Sequence, residues 1–278
     1  MLEPRIAERV VRLDGGELHY REAGEGSPLV LLHGFGHSST AWLRAMPLLS
    51  KRFRTIALDL PDYRRDAPWV KAYDPASFAA IVTRCIDLLG LGPVYLAGNS
   101  FGGLLSMLAA LARPELVRGL VLADPVGFTI PPVPPLGDAL LGLMGFWLAL
   151  PHRPAALIRG GYAASFYDQS RIDEATVEEI IAYASTPAGI RMRSRTLHEI
   201  FHFSRRLDGF HARLASLRAP TLVVWGKNDP VLPVKDAEIA RRVLPAPRLE
   251  LLEHCGHLPH VELPAVFSSL VLDFLNPA

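Results

Sequence analysis

The sequence predicts an α/β protein with a mostly parallel sheet of eight strands, helices on both faces of that sheet, and a helical insertion. Two patterns lead to this prediction. Short apolar runs rich in β-branched residues alternate with longer amphipathic stretches, as in parallel sheets whose strands are joined by helices. The alternation stops between Asp124 and Thr221, where no run has the pattern of a buried strand. We therefore expect one core that is interrupted by an insertion.

The predicted sheet begins with a hairpin. Val10–Leu13 and Leu18–Glu22 flank the turn Asp14-Gly15-Gly16, so the first two strands should pair antiparallel. Six further strands are expected, each buried and each ending where polar or glycine residues begin. They are PLVLLHG (28–34), RTIALDL (54–60), PVYLAGN (93–99), GLVLAD (119–124), TLVVWG (221–226) and RLELLE (248–253).

Apolar residues at helical spacing lie between these strands. Pro75 and Pro264 are expected in the first turns of two helices, where proline is tolerated because its missing N–H would have no acceptor there. The predicted helices are Ser38–Leu49, Pro75–Leu89, Phe101–Ala112, Lys235–Val243 and Pro264–Phe274.

Residues 126–215 are predicted to form a helical cap on the carboxyl edge of the sheet, where open α/β sheets bind their ligands. The stretch opens with five prolines in PVGFTIPPVPPLG (125–137), which prevent regular structure there. Helical segments such as DEATVEEIIAYAS (173–185) follow. The core domain is then expected to consist of residues 1–125 and 216–278.

Composition excludes several functional classes. The 278 residues include 29 Lys+Arg and 28 Asp+Glu, a net charge of +1 that gives no electrostatic reason to expect nucleic acid as a partner. Hydrophobic residues make up 50% and charged residues 21%, which is typical of globular rather than disordered chains. The apolar run ALLGLMGFWLAL (139–150) is too short to span a bilayer, so no integral membrane segment is expected.

Two features predict a cytoplasmic location. Cys85 and Cys255 cannot form a disulfide framework. The first residues, MLEPRIAERV, carry scattered charges and have no apolar core, so we expect no secretory signal peptide. Both features favour a reducing compartment.

The segment GNSFG (98–102) carries the most specific chemical signal. It follows a predicted strand, precedes a predicted helix and fits the pattern G-x-S-x-G, in which a sharp turn exposes a strained serine. Small residues at Gly98 and Gly102 allow the backbone to approach closely at that turn. We therefore predict that Ser100 is a nucleophile.

A serine hydroxyl needs a base to remove its proton, and the base needs an orienting acid. In this arrangement the acid and the histidine follow the serine along the chain, at the ends of later strands. GKNDPVLP (226–233) places Asp229 just beyond one strand, and HCGHLPH (254–260) places His257 beyond the last strand. These two residues are the predicted acid and base.

Other assignments compete with these. Asp124 also ends a strand and is a second candidate acid, although a turn residue before Pro125 is the favoured interpretation. His254, His257 and His260 are spaced by three, but Gly256 and Pro259 interrupt the helix that would align them, so we expect no metal.

Two further features have structural and functional interpretations. Cys255 is interpreted as a small packed residue rather than as a nucleophile. Arg191, Arg193 and Arg195 alternate in RMRSR and are interpreted as exposed surface, with anion binding as the less favoured alternative.

Four motifs together resemble the α/β-hydrolase superfamily, in the family's order. They are HGFG (33–36), GNSFGG (98–103), GKNDPVLP (226–233) and CGHLPHVELP (255–264). The resemblance covers nearly the whole chain and is weakest in the predicted cap. It implies an eight-stranded α/β-hydrolase sheet.

The resemblance also implies roles for individual residues. Ser100 would be the nucleophile, His257 the general base and acid, and Asp229 the residue that orients His257. The backbone N–H groups of Phe35 and Phe101 would form an oxyanion hole, in which two donors oppose the charge on the carbonyl oxygen. No metal or organic cofactor is required by this chemistry.

The elbow GNSFGG is also similar to that of carbon–carbon bond hydrolases acting on aromatic ring-cleavage products. Those enzymes usually carry a longer glycine- and proline-rich oxyanion loop and a tryptophan after the histidine, whereas this chain has HGFGHSS and Leu258. We therefore expect a carboxylesterase or a small lipase resembling monoacylglycerol lipases, whose substrate is a small-molecule ester with an apolar acyl group. Leu258, Phe146 and Trp147 are the candidate substrate-binding residues. Carbon–carbon bond hydrolysis, and a ligand-sensing protein with slow turnover, are the alternatives.

Overall fold

The computed structural model describes residues 5–13, 15–61, 70–129 and 155–275. Within these residues eight strands form a sheet. The strands are β1 (Ala7–Leu13), β2 (Gly16–Ala23), β3 (Ser27–Leu32), β4 (Phe53–Leu58), β5 (Val94–Asn99), β6 (Val117–Ala123), β7 (Thr221–Gly226) and β8 (Arg248–Leu252).

The strands lie in the order β1-β2-β4-β3-β5-β6-β7-β8. β2 pairs antiparallel with β1 and β4, and every other neighbouring pair is parallel. The predicted sheet and its hairpin are confirmed. The expected burial of β8 is wrong, because β8 lies at the edge of the sheet with β7 as its neighbour, and of its residues only Leu252 is buried.

Ten α-helices lie within the described ranges, and the helices predicted to begin at Pro75, Phe101, Lys235 and Pro264 are confirmed. Pro75 and Pro264 are the first residues of their helices, as expected. The helices are α1 (Met46–Leu49), α2 (Pro75–Leu88), α3 (Phe101–Ala112), α4 (Ala155–Ala163), α5 (Glu174–Ala184), α6 (Pro187–Ser204), α7 (Leu207–Leu214), α8 (Lys235–Val243), α9 (Pro259–Glu262) and α10 (Pro264–Leu275).

The single helix predicted over Ser38–Leu49 is wrong. The segment forms a 3₁₀ turn at Ser39–Trp42, capped by the Ser38 side chain, and then the short α1. Pro47 is the second residue of α1. A proline has no N–H and its ring collides with the carbonyl of the preceding turn, so a helix cannot continue through this position.

Side chains of the central strands alternate between two apolar layers. In β3, Val30 and Leu32 pack in one cluster with residues of α2 and α3, whereas Leu29 and Leu31 pack in another with residues of α1 and α10. All four side chains have no solvent-accessible surface. The two-residue period of a strand produces this division, and the sheet is therefore covered by helices on both faces.

Helices α4 to α7 lie between β6 and β7, and the described part of this stretch contains no strand. The predicted helix over 173–185 corresponds to α5, which Asp173 caps by accepting a hydrogen bond from the Thr176 N–H. Ile158 and Tyr162 of α4 pack in a cluster with Leu258 from the C-terminal part of the chain. Among the described helices, none combines the length and apolar character needed to cross a membrane.

The last four strands bring four loops to one edge of the sheet. Asn99 at the end of β5 pairs with Ala123 at the end of β6, and Gly226 at the end of β7 pairs with Leu252 at the end of β8. Because parallel strands end on the same side, the residues that follow them are neighbours in space. The candidate site is built from these loops.

Candidate active site

Ser100 lies in the turn between β5 and α3. Its φ of 54° is in the left-handed region, which costs a non-glycine residue about 1–3 kcal/mol. Two backbone hydrogen bonds hold this conformation: the Ser100 N–H donates to the Ala123 carbonyl (2.9 Å), and the Val126 N–H donates to the Ser100 carbonyl (3.1 Å). The strained strand-to-helix turn that the sequence predicts is present.

The glycines of this turn are required by close backbone contacts. A Cβ on Gly98 would collide with the Gly102 carbonyl, and a Cβ on Gly102 would collide with the carbonyl of Leu32 in β3. Both clashes involve backbone atoms, which cannot move aside as the end of a flexible side chain can. The turn therefore fits only without side chains at these two positions.

His257 and Asp229 form a buried hydrogen-bonded pair, with His257 Nδ1 2.7 Å from Asp229 Oδ2. Asp229 Oδ1 accepts hydrogen bonds from the N–H groups of Val231 (2.7 Å) and Leu232 (2.9 Å). The Asp229 side chain has no exposed surface. A proton on Nδ1 facing this carboxylate leaves Nε2 of a neutral imidazole as an acceptor. This is the geometry of a base held by its orienting acid.

Asn99 connects the serine turn to the histidine loop, although it is not among the site residues predicted from the sequence. Its side chain is 1% exposed, and its Nδ2 donates to the carbonyls of Ala123 (3.1 Å) and His257 (3.0 Å). The position between Gly98 and Ser100 is the only sequence signal for such a role. Only the fold shows that the partner is the histidine loop.

Glu262 fixes the other side of the histidine loop and was also not identified from the sequence. Its carboxylate accepts hydrogen bonds from the N–H groups of Gly256 (2.7 Å), Tyr167 (3.0 Å) and Asp168 (3.1 Å). Burial raises the pKa of Glu262, whereas these backbone donors lower it. The carboxylate therefore ties the histidine loop to the segment that follows α4.

Ser100 and His257 line a common cavity of about 300 Å³. Both residues are nearly buried, with exposures of 8% and 5%. The other described lining residues come from the loop after β3, from the end of β5, from helices α4 to α6, from the segment after α4 and from the loop after β7: Gly34, Phe35, Gly36, His37, Asn99, Ile158, Gly161, Tyr162, Ser165, Ile180, Arg193 and Val231.

The loop after β3 is held by His33. Its Nε2 accepts a hydrogen bond from the Leu60 N–H (2.9 Å), and its Nδ1 contacts the Gly34 carbonyl at 2.8 Å. Burial lowers the pKa of His33 to about 4, so the ring is neutral and Nδ1 carries the proton. The next residue, Phe35, lines the cavity. Phe101 is the first residue of α3, where a backbone N–H has no acceptor within the helix.

The three arginines of RMRSR have different environments. Arg191 and Arg195 are exposed, and the Arg195 guanidinium lies 5.5 Å from the ring centre of Tyr73. Arg193 lines the cavity, with its guanidinium carbon 5.8 Å from the ring centre of Phe35. The alternation therefore brings one cation to the candidate site.

Of the three predicted substrate-binding residues, only Leu258 lies in the part of the chain that the structure describes. Leu258 is buried in the cluster with α4 and α5 and is not one of the residues that line the cavity. Phe146 and Trp147 lie outside the described residues.

The three histidines spaced by three have different surroundings. His254 is exposed and its Nδ1 is 3.1 Å from the Tyr167 hydroxyl, whereas His260 is fully buried with its ring 4.2 Å from that of Trp42. They do not form a common metal site. Cys255 is buried, and burial raises its thiol pKa, as suits a packed residue.

Asp124, the second candidate acid, is fully buried beside the histidine–aspartate pair. One carboxylate oxygen of Asp124, one of Asp229 and one ring nitrogen of His257 all lie within 4.8 Å of one another. His257 Nδ1 makes its short contact with Asp229. Asp124 Oδ1 instead accepts a hydrogen bond from the Gly226 N–H at 2.9 Å.

Comparisons with known proteins agree with this architecture. The model of the alpha/beta hydrolase family matches residues 29–270. A 2-hydroxy-6-oxo-2,4-heptadienoate hydrolase from Pseudomonas putida is 31% identical over 276 residues, covering 96% of this chain and 95% of the relative.

Solved structures give the same result. A serine hydrolase involved in carbazole degradation superposes with a TM-score of 0.81 at 27% identity, covering 98% of this chain and 99% of that one. A bacterial membrane phospholipase A superposes with a TM-score of 0.82 at 28% identity, covering 98% of this chain and 86% of that one. This chain belongs to the alpha/beta hydrolase family.

Proposed function

We propose that this hydrolase is a serine enzyme that cleaves carboxylic esters through an acyl-enzyme, with Ser100 as nucleophile, His257 as base and Asp229 as orienting acid. One observation carries the proposal: Ser100 and His257 line the same cavity, and His257 Nδ1 is 2.7 Å from a buried Asp229 carboxylate. A serine exposed on a strained turn gains reactivity only when such a base is available.

The proposed reaction has two halves. His257 accepts the Ser100 proton at Nε2 while the serine oxygen attacks the ester carbonyl, and the imidazolium then protonates the leaving alcohol. Water enters, His257 removes a proton as the water oxygen attacks the acyl carbonyl, and the imidazolium returns that proton to the Ser100 oxygen as the acid is released. Asp229 keeps the imidazole in the required tautomer and opposes the positive charge that forms on it.

We assign the oxyanion hole to the backbone N–H groups of Phe35 and Phe101. Phe101 follows the nucleophile as the first residue of α3, and Phe35 lies in the cavity loop held by His33. Donors fixed in this way before the reaction stabilise the developing negative charge without reorganisation. The positive end of the α3 dipole acts in the same direction.

The residues that line the cavity favour a substrate with an apolar acyl group. Phe35, Ile158, Tyr162, Ile180 and Val231 are apolar or aromatic residues that line it. Three of these residues come from α4 and α5, between β6 and β7. We therefore propose that residues 126–215 form a cap that closes over a core made of 1–125 and 216–278.

A second candidate function is hydrolysis of a carbon–carbon bond in a dienoate acid. Arg193 places a guanidinium at the cavity, and arginine is suited to bind a carboxylate with two hydrogen bonds. The Pseudomonas putida relative is named for hydrolysis of such a dienoate. The Ser100, His257 and Asp229 assignments are the same in both candidates.

A substrate comparison tests the proposal. We would measure initial rates on p-nitrophenyl esters from acetate to palmitate and on a 2-hydroxy-6-oxo-dienoate, with wild type, Ser100→Ala and Arg193→Met. Ester turnover that has a chain-length optimum and is lost in Ser100→Ala is the expected result.

Other outcomes favour the alternatives. Turnover of the dienoate alone, with KM raised by Arg193→Met, would replace ester hydrolysis with carbon–carbon bond hydrolysis. Ligand retained in stoichiometric amount without turnover of either class would indicate a sensing protein. Equal rates in Ser100→Ala and wild type would contradict both hydrolytic mechanisms.

A further inference from the structure

Two aspartates, rather than one, lie at the predicted acid position. Asp124 follows β6 and Asp229 follows β7, and a carboxyl oxygen of each lies within 4.8 Å of the other. Neither side chain has solvent-accessible surface. Two ionised carboxylates at this separation would repel each other without water to screen them, so one of them retains a proton.

The hydrogen-bond donors around the two aspartates identify which of them retains the proton. Asp229 accepts from three N–H groups: those of Val231 and Leu232 and, through Nδ1, that of His257. Asp124 accepts from one, the Gly226 N–H at Oδ1. Its Oδ2 is buried, and no N–H or hydroxyl group among the described residues donates a hydrogen bond to it. Negative charge is therefore better placed on Asp229, and the proton on Asp124 Oδ2.

We propose that Asp124 is a neutral carboxylic acid that donates a hydrogen bond to Asp229 and so positions the acid of the triad; this inference rests on the proposed function for its catalytic meaning. Asp124 would touch neither substrate nor nucleophile. It would act on His257 through Asp229. With one proton held between them, the two aspartates present a single negative charge to the imidazole.

The surroundings of Asp124 support a neutral state. Besides Asp229 and His257, the titratable groups near Asp124 in the described part of the chain are Cys255 in the histidine loop and Glu262 in α9, and neither of these two is a cation. Burial, followed by the charge of Asp229, raises the pKa of Asp124 well above its usual range. Its backbone is fixed at φ 43° by donation from its N–H to the Val224 carbonyl (3.0 Å).

Matched substitutions separate a neutral donor from an ionised acid. Asp124→Asn keeps a donor toward Asp229 and an acceptor toward the Gly226 N–H, and asparagine tolerates positive φ. It should keep kcat within about threefold of wild type, with an unchanged pH profile. Asp229→Asn, the same chemical change on the ionised partner, should lower kcat by about 10⁴-fold. Asp124→Ala should lower kcat by about 30-fold with little change in KM, and circular dichroism checks that it folds.

A spectroscopic measurement tests the proposal independently of activity. In protein labelled with ¹³C at the aspartate carboxyl groups, the Asp124 signal is the one lost in Asp124→Asn. We expect its chemical shift to be that of a protonated acid and to stay constant across the neutral pH range. This measurement remains decisive if Asp124→Ala does not fold or if the substrate class proposed above is wrong.

Any of four results would overturn the proposal. Asp124→Asn could lose as much kcat as Asp229→Asn, the Asp124 signal could have the shift of an ionised carboxylate, or folded Asp124→Ala could retain wild-type kcat. An ionisation in the wild-type pH profile that is missing from Asp124→Asn would also contradict a proton held permanently on Asp124.

Discussion

The Asn99 side chain donates a hydrogen bond from Nδ2 to the backbone carbonyl of His257 at 3.0 Å. These residues are 158 positions apart in the chain. The contact joins the turn that carries Ser100 directly to the loop that carries the histidine. The distance between the Ser100 turn and the His257 loop therefore depends on the buried Asn99 side chain as well as on the sheet.

Replacing Asn99 should loosen this connection. In Asn99→Ala the buried His257 carbonyl loses its donor, which costs about 1–3 kcal/mol of folding free energy. We expect a lower Tm and a kcat reduced by about tenfold, with KM nearly unchanged. The exposed Asn228→Ala is the matched control, and equal effects of the two substitutions would show that the contact has no positioning role.

Replacing a glycine of the serine turn by a residue with a side chain should destabilise the protein. Gly98→Ala would place a Cβ against the Gly102 carbonyl, so we expect a loss of several kcal/mol in the free energy of unfolding, measured by urea titration. Gly209→Ala is the control, because its Cβ would meet no atom within 4 Å and it lies in α7. That change should stabilise the protein by up to about 1 kcal/mol. Equal stability of the two variants would contradict the close contact.

Glu262→Gln should disturb the histidine loop. The carboxylate accepts three backbone N–H groups, and an amide turns one oxygen acceptor into a donor that faces them. We expect kcat to fall by about tenfold and limited proteolysis near Tyr167 to become faster. Glu253→Gln, at an exposed residue paired with Lys227, is the control and should change neither. A wild-type proteolysis pattern in Glu262→Gln would show that the carboxylate does not hold the segment after α4.

Buried histidines should make the fold sensitive to acid. Burial lowers the pKa of His37 to about 3 and that of His260 well below 6.5, so the unfolded chain binds more protons as the pH falls below about 6.5. The stability that these neutral histidines contribute is therefore complete above that pH and declines below it. We expect Tm to decrease from about pH 7 to pH 5.

His260→Phe should make this decline shallower. Both ring nitrogens of His260 are buried without a hydrogen-bond partner in the described part of the chain, and the ring packs between Trp42 and Phe267. A phenyl ring keeps the aromatic contacts and removes the titrating group. His254→Gln, at an exposed position, should leave the slope as in wild type. An unchanged slope in His260→Phe would show that His260 does not contribute to acid sensitivity.

The sequence was sufficient to predict the sheet and the residues that follow the ends of its strands. Buried strands have short apolar runs, and the residues that follow them must meet at the carboxyl edge. The sequence could therefore predict that Ser100, Asp229 and His257 lie at the same edge, whereas their catalytic roles remain the proposal made above. The same rule pointed to Asp124 but could not say which carboxylate contacts the imidazole, because that depends on the path of the loop after Gly226.

The contacts that hold the loops of the candidate site could not be predicted from the sequence around the residues that make them. Glu262 is one acidic residue in a helix, and only the fold shows that it accepts hydrogen bonds from Gly256 and from the segment after α4. The orientation of Arg193 toward the cavity depends on how α6 packs, which alternating arginines do not reveal. The break at Pro47 could have been predicted, because a proline in mid-helix removes a backbone donor.

The most direct test of the central claim is covalent labelling of the nucleophile. A fluorophosphonate should modify the protein in a one-to-one ratio, and peptide mass spectrometry should place the adduct on Ser100. Ser165→Ala, which removes the other serine that lines the cavity, should still be labelled, and Ser100→Ala should not. An adduct on another residue, or undiminished ester turnover by Ser100→Ala, would contradict the assignment of Ser100 as the nucleophile.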